Sequence, residues 1–337
     1  MFRKSKGKVL SVLLVVLMMV LALTGCSKDT AKKEPAKAAF KPEKPITAIV
    51  PASPGGATDL LARAVEKVWS KYCPQPIQIV NKGGGGGVEG AVAVKTAKPD
   101  GYTMIIGMGG GHDIVAPHLQ NIEYKYTDLT PVARLSVNSV VILVPAESPF
   151  NSVKDVVEWA KRENKPVTAS VSQKAGAHDL TAQAFGKKAG ITVTPIPHSG
   201  GAQAITTLLG GQTTIGTGHP AEVLTHLKSG KLKPIGIALP ERDPALPDVP
   251  TLKEQGVDVY TWGSVKGVGL PKDTPKEVVN YYADVFKKIA DDPEFKKACQ
   301  DMMQPAQYQN PEEFAKFLKQ VTDDYGALIK SLGIEKR

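Results

Sequence analysis

The stretch "ITAIVPASPGGATDLLARAVEKVWSKY", Ile46 to Tyr72, holds a complete strand, turn and helix. "ITAIV" is a β-branched run, "SPGGATD" breaks it with proline and glycine, and "LLARAVEKVW" spaces its apolar residues three and four apart, the helical period. "IQIVNKGGGGGVEGAVAV", Ile77 to Val94, repeats the order: strand, five glycines, helix. "PDGYTMIIGMGGG" supplies a turn and a third strand that runs into another glycine loop. A βαβαβ order predicts an α/β fold with a largely parallel sheet.

The alternation continues. "SVVILVPA" reads as a strand, "SVKDVVEWAKREN" as a helix with a serine cap, and "VTASVS" as a strand. "DLTAQAFGKKAG", "TVTPIPH", "AQAITTLLGG" and "TTIGTG" carry the pattern on, "EVLTHLKSGKLKPIGIAL" leads into a proline-rich loop, and "VKGVGLP" is a late strand before three C-terminal helices. With 337 residues the chain exceeds one small core, and two domains are expected.

The amino terminus reads as a leader. "MFRKSKGK" is basic and "VLSVLLVVLMMVLAL" apolar, but too short for the ~20 residues of a membrane span. "LTGC", ending at Cys26, resembles a bacterial lipoprotein signal, which implies cleavage before Cys26, its acylation, and an extracytoplasmic protein on the cell membrane. Residues 26–44, rich in Lys, Ala, Pro and Glu, form a flexible tether. The formal charge of +9 sits mostly in this region; from residue 45 onward 32 basic face 30 acidic residues, which leaves no footprint for nucleic acid. Cys73 and Cys299 are far apart and follow no framework spacing, so two buried thiols are expected.

Four strand ends run into loops of Gly, Ser, Thr or His: "PASPGGATD" (51–59), "GMGGGHD" (107–113), "SVSQKAGAHD" (170–179) and "PHSGGAQA" (197–204). Ligands of open α/β sheets sit beyond the carboxyl ends of strands, and helix N-termini favour anions. Together these loops predict a small anion site built from backbone donors and hydroxyls. A nucleotide grip is disfavoured. The glycine run follows the second strand rather than the first, and no G-K-[ST] accompanies it. Neither H-E-x-x-H nor G-x-S-x-G occurs, and the six histidines show no metal spacing, so no enzyme, cofactor or metal is expected.

The motifs "PITAIVPASPGGATDLLAR", "IQIVNKGGGGGVEGAVAV", "KPDGYTMIIG", "PHSGGAQAITTLLGGQ", "SGKLKPIGIA" and "LPDVPTLKEQG" resemble, in order and spacing, the periplasmic receptors of tripartite tricarboxylate transporters, the TctC-like or Bug proteins. The resemblance covers the chain from Pro45 to its end. It implies a type II periplasmic-binding-protein fold, a Venus flytrap of two α/β domains joined by crossing strands, with the cleft between them. Domain 1 would comprise residues 45–133 with 262–337, and domain 2 residues 134–261.

It further implies capture of a small carboxylate, delivery to a two-component permease, and a monomer. A sensory receptor feeding a signalling partner is the alternative, with a nucleotide-binding α/β enzyme behind it. By resemblance, the loop Ser53, Pro54, Gly55, Gly56, Ala57, Thr58 and Asp59 receives the carboxylate; Asp59, at the opening of a helix, is expected to cap it rather than touch the anion. The candidate set adds Gly110 and His112, then Ser172, Ala175, Gly176, His178 and Asp179, then His198, Ser199 and Gly200. Two departures matter: Asp179 stands after His178 where the family has Leu, and His198-Ser199-Gly200 replaces Tyr-Lys-Gly, which would make the contact pH-sensitive. The run Gly83 to Gly87 is expected mainly to turn strand into helix near the cleft.

Overall fold

The computed structural model describes residues 40–336 except Gln173 and Ala175. The leader, the Cys26 lipidation site, the tether to residue 39, and Ala175 of the candidate set therefore lie outside the described residues.

The chain opens with β1 (Ile46–Val50), α1 (Ala57–Trp69), β2 (Ile77–Asn81), α2 (Val88–Lys95) and β3 (Thr103–Met108). Two single helical turns, α3 (Gly111–Ile114) and α4 (Ala116–Leu119), precede the long β4 (Leu129–Asn138). It continues with β5 (Val141–Pro145), α5 (Val153–Glu163), β6 (Val167–Val171), α6 (Ala177–Ala189) and β7 (Val193–Pro197). α7 (Gly201–Leu209), β8 (Ile215–Gly218), α8 (Pro220–Lys228) and β9 (Leu232–Ile237) follow. The chain ends with β10 (Ser264–Pro271), α9 (Lys276–Asp291), α10 (Pro293–Asp301), β11 (Ala306–Gln309) and α11 (Pro311–Leu332).

Two sheets result, in the orders β11-β4-β10-β3-β1-β2 and β7-β6-β8-β5-β9. Each has the expected parallel core: β1 pairs in parallel with β2 and β3, and β6 with β7 and β8. Neither is wholly parallel. β10 lies antiparallel between β3 and β4, and β5 antiparallel between β8 and β9. The reason is connectivity. β4 ends one sheet at Asn138 and β5 enters the other at Val141, so the chain crosses without a helix to reverse its direction.

Local signals explain most elements. In α1, Leu61, Ala62, Val65, Val68 and Trp69 are buried, the expected apolar stripe. Ser152 caps α5 by accepting from the Asp155 N–H. Cys73 and Cys299 are both buried thiols in the core of the first sheet. Phe40, inside the segment read as tether, packs its ring 5.4–6.1 Å from those of Tyr281, Tyr282 and Tyr102.

The glycine run does turn strand into helix. Gly85, Gly86 and Gly87 all have left-handed backbone, and a Cβ on Gly87 would lie 2.7 Å from the Pro51 carbonyl oxygen. The same constraint is sharper at the second crossing. Gly263 has φ +62°, and a Cβ there would meet the Asn138 carbonyl oxygen at 2.0 Å.

Gly263→Ala is therefore expected to cost ~3–5 kcal/mol, from left-handed strain plus overlap at the crossing. Gly256, at φ +85° with open space around it, serves as the control; Gly256→Ala should cost only ~1–2 kcal/mol. Urea unfolding of both variants measures the gap, and equal losses would show that the crossing tolerates a side chain.

Candidate functional site

The loop between β1 and α1 is held open by its own side chains. Asp59, buried on the first turn of α1, accepts from the Gly55 N–H at 2.8 Å and from Asn81 Nδ2 at 2.9 Å, and lies 3.4 Å from Arg63 Nε. Asn81 also donates to the Ala52 carbonyl, so β2 braces the loop. Burial opposes the charge on Asp59, but the Gly55 N–H, Asn81 and Arg63 outweigh it and hold the carboxyl below its ordinary range. The N-cap is Gly56 and not, as expected, Asp59, whose carboxylate turns back to the Gly55 N–H; no side chain bonds the first turn. The helix thus presents its first-turn N–H groups without a capping oxygen, which suits an external anion. Ser53, Pro54 and Gly55 are exposed, and Gly56, Ala57 and Thr58 half-buried.

Two cavities lie among the other loops. The smaller, about 220 Å³, is lined by Gly110, Ser172, His178, His219, Glu222 and Ser264, among others. The larger, about 920 Å³, is lined by Gly86, His112, Lys174, Gly176, Asp179 and Gln183, among others. His178 and Asp179 therefore both face space, on different sides of the start of α6. Asp179 also accepts from Gln183 Nε2 at 2.7 Å. His112 is 5% exposed, with Nε2 3.2 Å from Asp113 Oδ1. The loop of His198, Ser199 and Gly200 lines neither cavity. Its ends are fixed by the His198 N–H on the Val171 carbonyl and by Gln203, which accepts from both the N–H and hydroxyl of Ser199.

The floor of the smaller cavity carries groups that sequence reading did not bring together. His219 Nδ1 lies 2.7 Å from the Ser139 carbonyl oxygen, so that nitrogen donates and Nε2 is left with its lone pair. The His178 ring crosses that of His219 at 4.5 Å between centroids. His178 is 3% exposed, yet neither ring nitrogen has a hydrogen-bond partner among the described residues. Glu222 accepts from the His219 N–H at 3.2 Å and stands 3.9 Å from His178 Nε2. A Cβ on Gly201 would lie 3.2 Å from the same carboxylate, so the loop carrying His198 abuts the cluster. Behind it, Lys266 is 1% exposed with one weak contact, 3.5 Å to Ser264 Oγ.

Burial pushes His178 down to about 4, helped by His219, and lowers His219 as well, so both rings are neutral near pH 7. Burial likewise pushes Lys266 down to about 7, with Glu222 pulling against it. Lys266 did carry a signal. A lysine at an inward position of the apolar strand "SVKGVGLP" is out of pattern. Glu222 carried none, because the first turn of any helix accommodates a glutamate.

Two α/β sheet lobes, joined by crossing strands and lined with glycine-rich loops, define a two-lobed solute-binding protein. The chain belongs to the receptor family of tripartite tricarboxylate transporters: the model described as "Tripartite tricarboxylate transporter family receptor" matches residues 61–334. The chain resembles the structure of the periplasmic binding protein BugD, at 28% identity and TM-score 0.73, covering 88% of this chain and 100% of that one. MatC from Rhodopseudomonas palustris, solved with bound malate, is 26% identical, with TM-score 0.71 over 86% of this chain and 99% of its own. A second R. palustris protein, solved with adipate, is 26% identical, with TM-score 0.74 over 88% and 99%. The protein is thus an extracytoplasmic substrate-binding receptor by family.

Two outcomes follow from the charges. Asp59 has a folded carboxyl below its unfolded value, so the stability it contributes is present above about pH 4 and lost as pH falls through the folded value. Asp59→Asn should therefore be less stable than the parent at pH 7 by ~1–2 kcal/mol, with the gap closing towards pH 3. Denaturant titrations at the two pH values measure it. Lys266 is buried with no close counter-ion among the described residues, so Lys266→Met should raise stability by ~1–3 kcal/mol. A lower melting temperature in calorimetry would show that the amino group has a necessary partner.

Proposed function

We propose that this receptor closes its two lobes on a small organic dicarboxylate or tricarboxylate and delivers it to a two-component membrane permease. The observation that carries the reading is the uncapped N-terminus of α1, with Gly56 at the cap and Asp59 turned back onto its own loop. This arrangement offers a carboxylate several N–H donors at no cost of burying an unpaired basic side chain. The malate and adipate bound by the two R. palustris relatives support the ligand class.

In this reading residues 45–133 with 262–337 form one lobe and 134–261 the other. Ser53 to Asp59 receives the carboxylate, while Ser172 to Asp179 and His198 to Gly200 close over it from the second lobe, with Gly110 and His112 at the rim. Acylated Cys26 and the tether hold the receptor at the membrane within reach of its permease. The work asked of the site is capture and release, for which positioned donors suffice and no nucleophile is required.

A thermal-shift panel of malate, adipate, citrate, aromatic acids and nucleotides tests the reading on the full chain without its leader. A ligand present at 100 times its dissociation constant should stabilise the fold by ~2.7 kcal/mol, a rise of roughly 5 °C. A response to one carboxylate class, with nucleotides silent, is the expected result. A response to nucleotides with none to carboxylates would overturn it.

A further inference from the structure

His178, His219 and Glu222 lie 41 and 3 positions apart in sequence, yet each offers a ligand atom within 4.8 Å of the other two. We infer that these three residues form a binding site for a divalent transition metal, zinc in chemical class, with one coordination position open to the 220 Å³ cavity. Resting on the carboxylate reading above, that open position takes the carboxylate of the solute, so the receptor captures metal and acid together.

The chemistry of the donors fits. Two imidazoles and one carboxylate form the three-ligand set of open zinc sites, and zinc accepts a carboxylate oxygen in the fourth position. Tetrahedral ligands ~2.1 Å from a metal stand ~3.4 Å apart, so the 3.9 Å between His178 Nε2 and Glu222 Oε2 needs a shift of only a fraction of an ångström. His219 is already prepared: its Nδ1 donates to the Ser139 carbonyl, which leaves the lone pair on Nε2, the tautomer that such a bond fixes in metal-bound histidines. His178 supplies the independent observation. Among the described residues neither of its buried ring nitrogens has a hydrogen-bond partner, a rare and costly state that a metal bond to one of them would relieve.

The cluster also sits where it can act. His219 and Glu222 flank the start of α8, His178 the start of α6, and the Ser139 carbonyl belongs to the strand crossing. Gly110 and Ser264, from the first sheet, line the same cavity. A metal there would meet solute held between the two sheets. Lys266 is the nearby cation and opposes the metal's charge, since its electrostatic effect reaches both His219 and Glu222. Its removal should therefore strengthen metal binding.

Zinc alone, titrated calorimetrically into chelator-treated protein, should bind at one equivalent. His219→Gln and Glu222→Gln, both close in shape to the parent, should weaken it at least tenfold, while Lys266→Met should tighten it. His226→Gln, at the far end of α8, is the control for adventitious histidine binding and should change nothing. No saturable zinc binding, or binding in Glu222→Gln and His219→Gln as tight as in the parent, would overturn the site. Malate titrated with and without zinc tests the bridge: each should raise the affinity of the other by the same factor. Zinc binding with no such coupling would remove the bridging role. Zinc binding to a protein that takes no carboxylate in either condition would sink the receptor reading and leave the metal assignment standing.

Discussion

Two close backbone crossings carry this structure. Between the end of β4 at Asn138 and the start of β5 at Val141 only Ser139 and Val140 intervene, and the chain returns through Gly263, where any Cβ would overlap the Asn138 carbonyl. Both sheets are tied to this pair of bonds. Ala238 donates to the Val140 carbonyl, Thr261 to the Ala238 carbonyl, and Tyr325 of α11 to the Gly263 carbonyl. The antiparallel places of β5 and β10 follow from the same crossing.

The charge arrangement of the cleft is unusual for an anion receptor. Among the residues lining the smaller cavity there is no lysine or arginine, and Glu222 is present. An anion site need not use basic side chains, because uncapped helix starts bring partial positive charge that needs no counter-ion in the empty state. Asp59 shows the design at small scale. A carboxylate spends itself on its own loop and on Asn81, and the first-turn donors stay free for something else. His178, buried with both ring nitrogens unpartnered among the described residues, is the member of this cluster whose burial no internal bond explains, which is why it invites a chemical task.

Much of the fold was legible from local pattern. The apolar stripe of α1, the Ser152 cap of α5 and the glycine run after β2 are each decided within a few residues by helix period, capping geometry and left-handed backbone. β4 and β11 were not. β4 carries Pro131 and Arg134, which blur its apolar run, and β11 is four half-buried residues at a sheet edge, too short for any period. The sequence expectation of a largely parallel sheet erred for a related reason, since strand direction depends on where a strand is going and not on its composition.

The sequence by itself determined the elements, their order and the loops at which a ligand could sit, because caps, turns and burial periods are local. Only the tertiary structure decided which side chains meet. Six histidines without metal spacing gave no hint that His178 and His219 would lie ring against ring beside Glu222, with Lys266 behind them. Their meeting sums the order of β6, β8 and β5 in one sheet with the crossing into β10 of the other. No spacing along the chain encodes that sum; it is set by how two cores pack around one shared pair of strands.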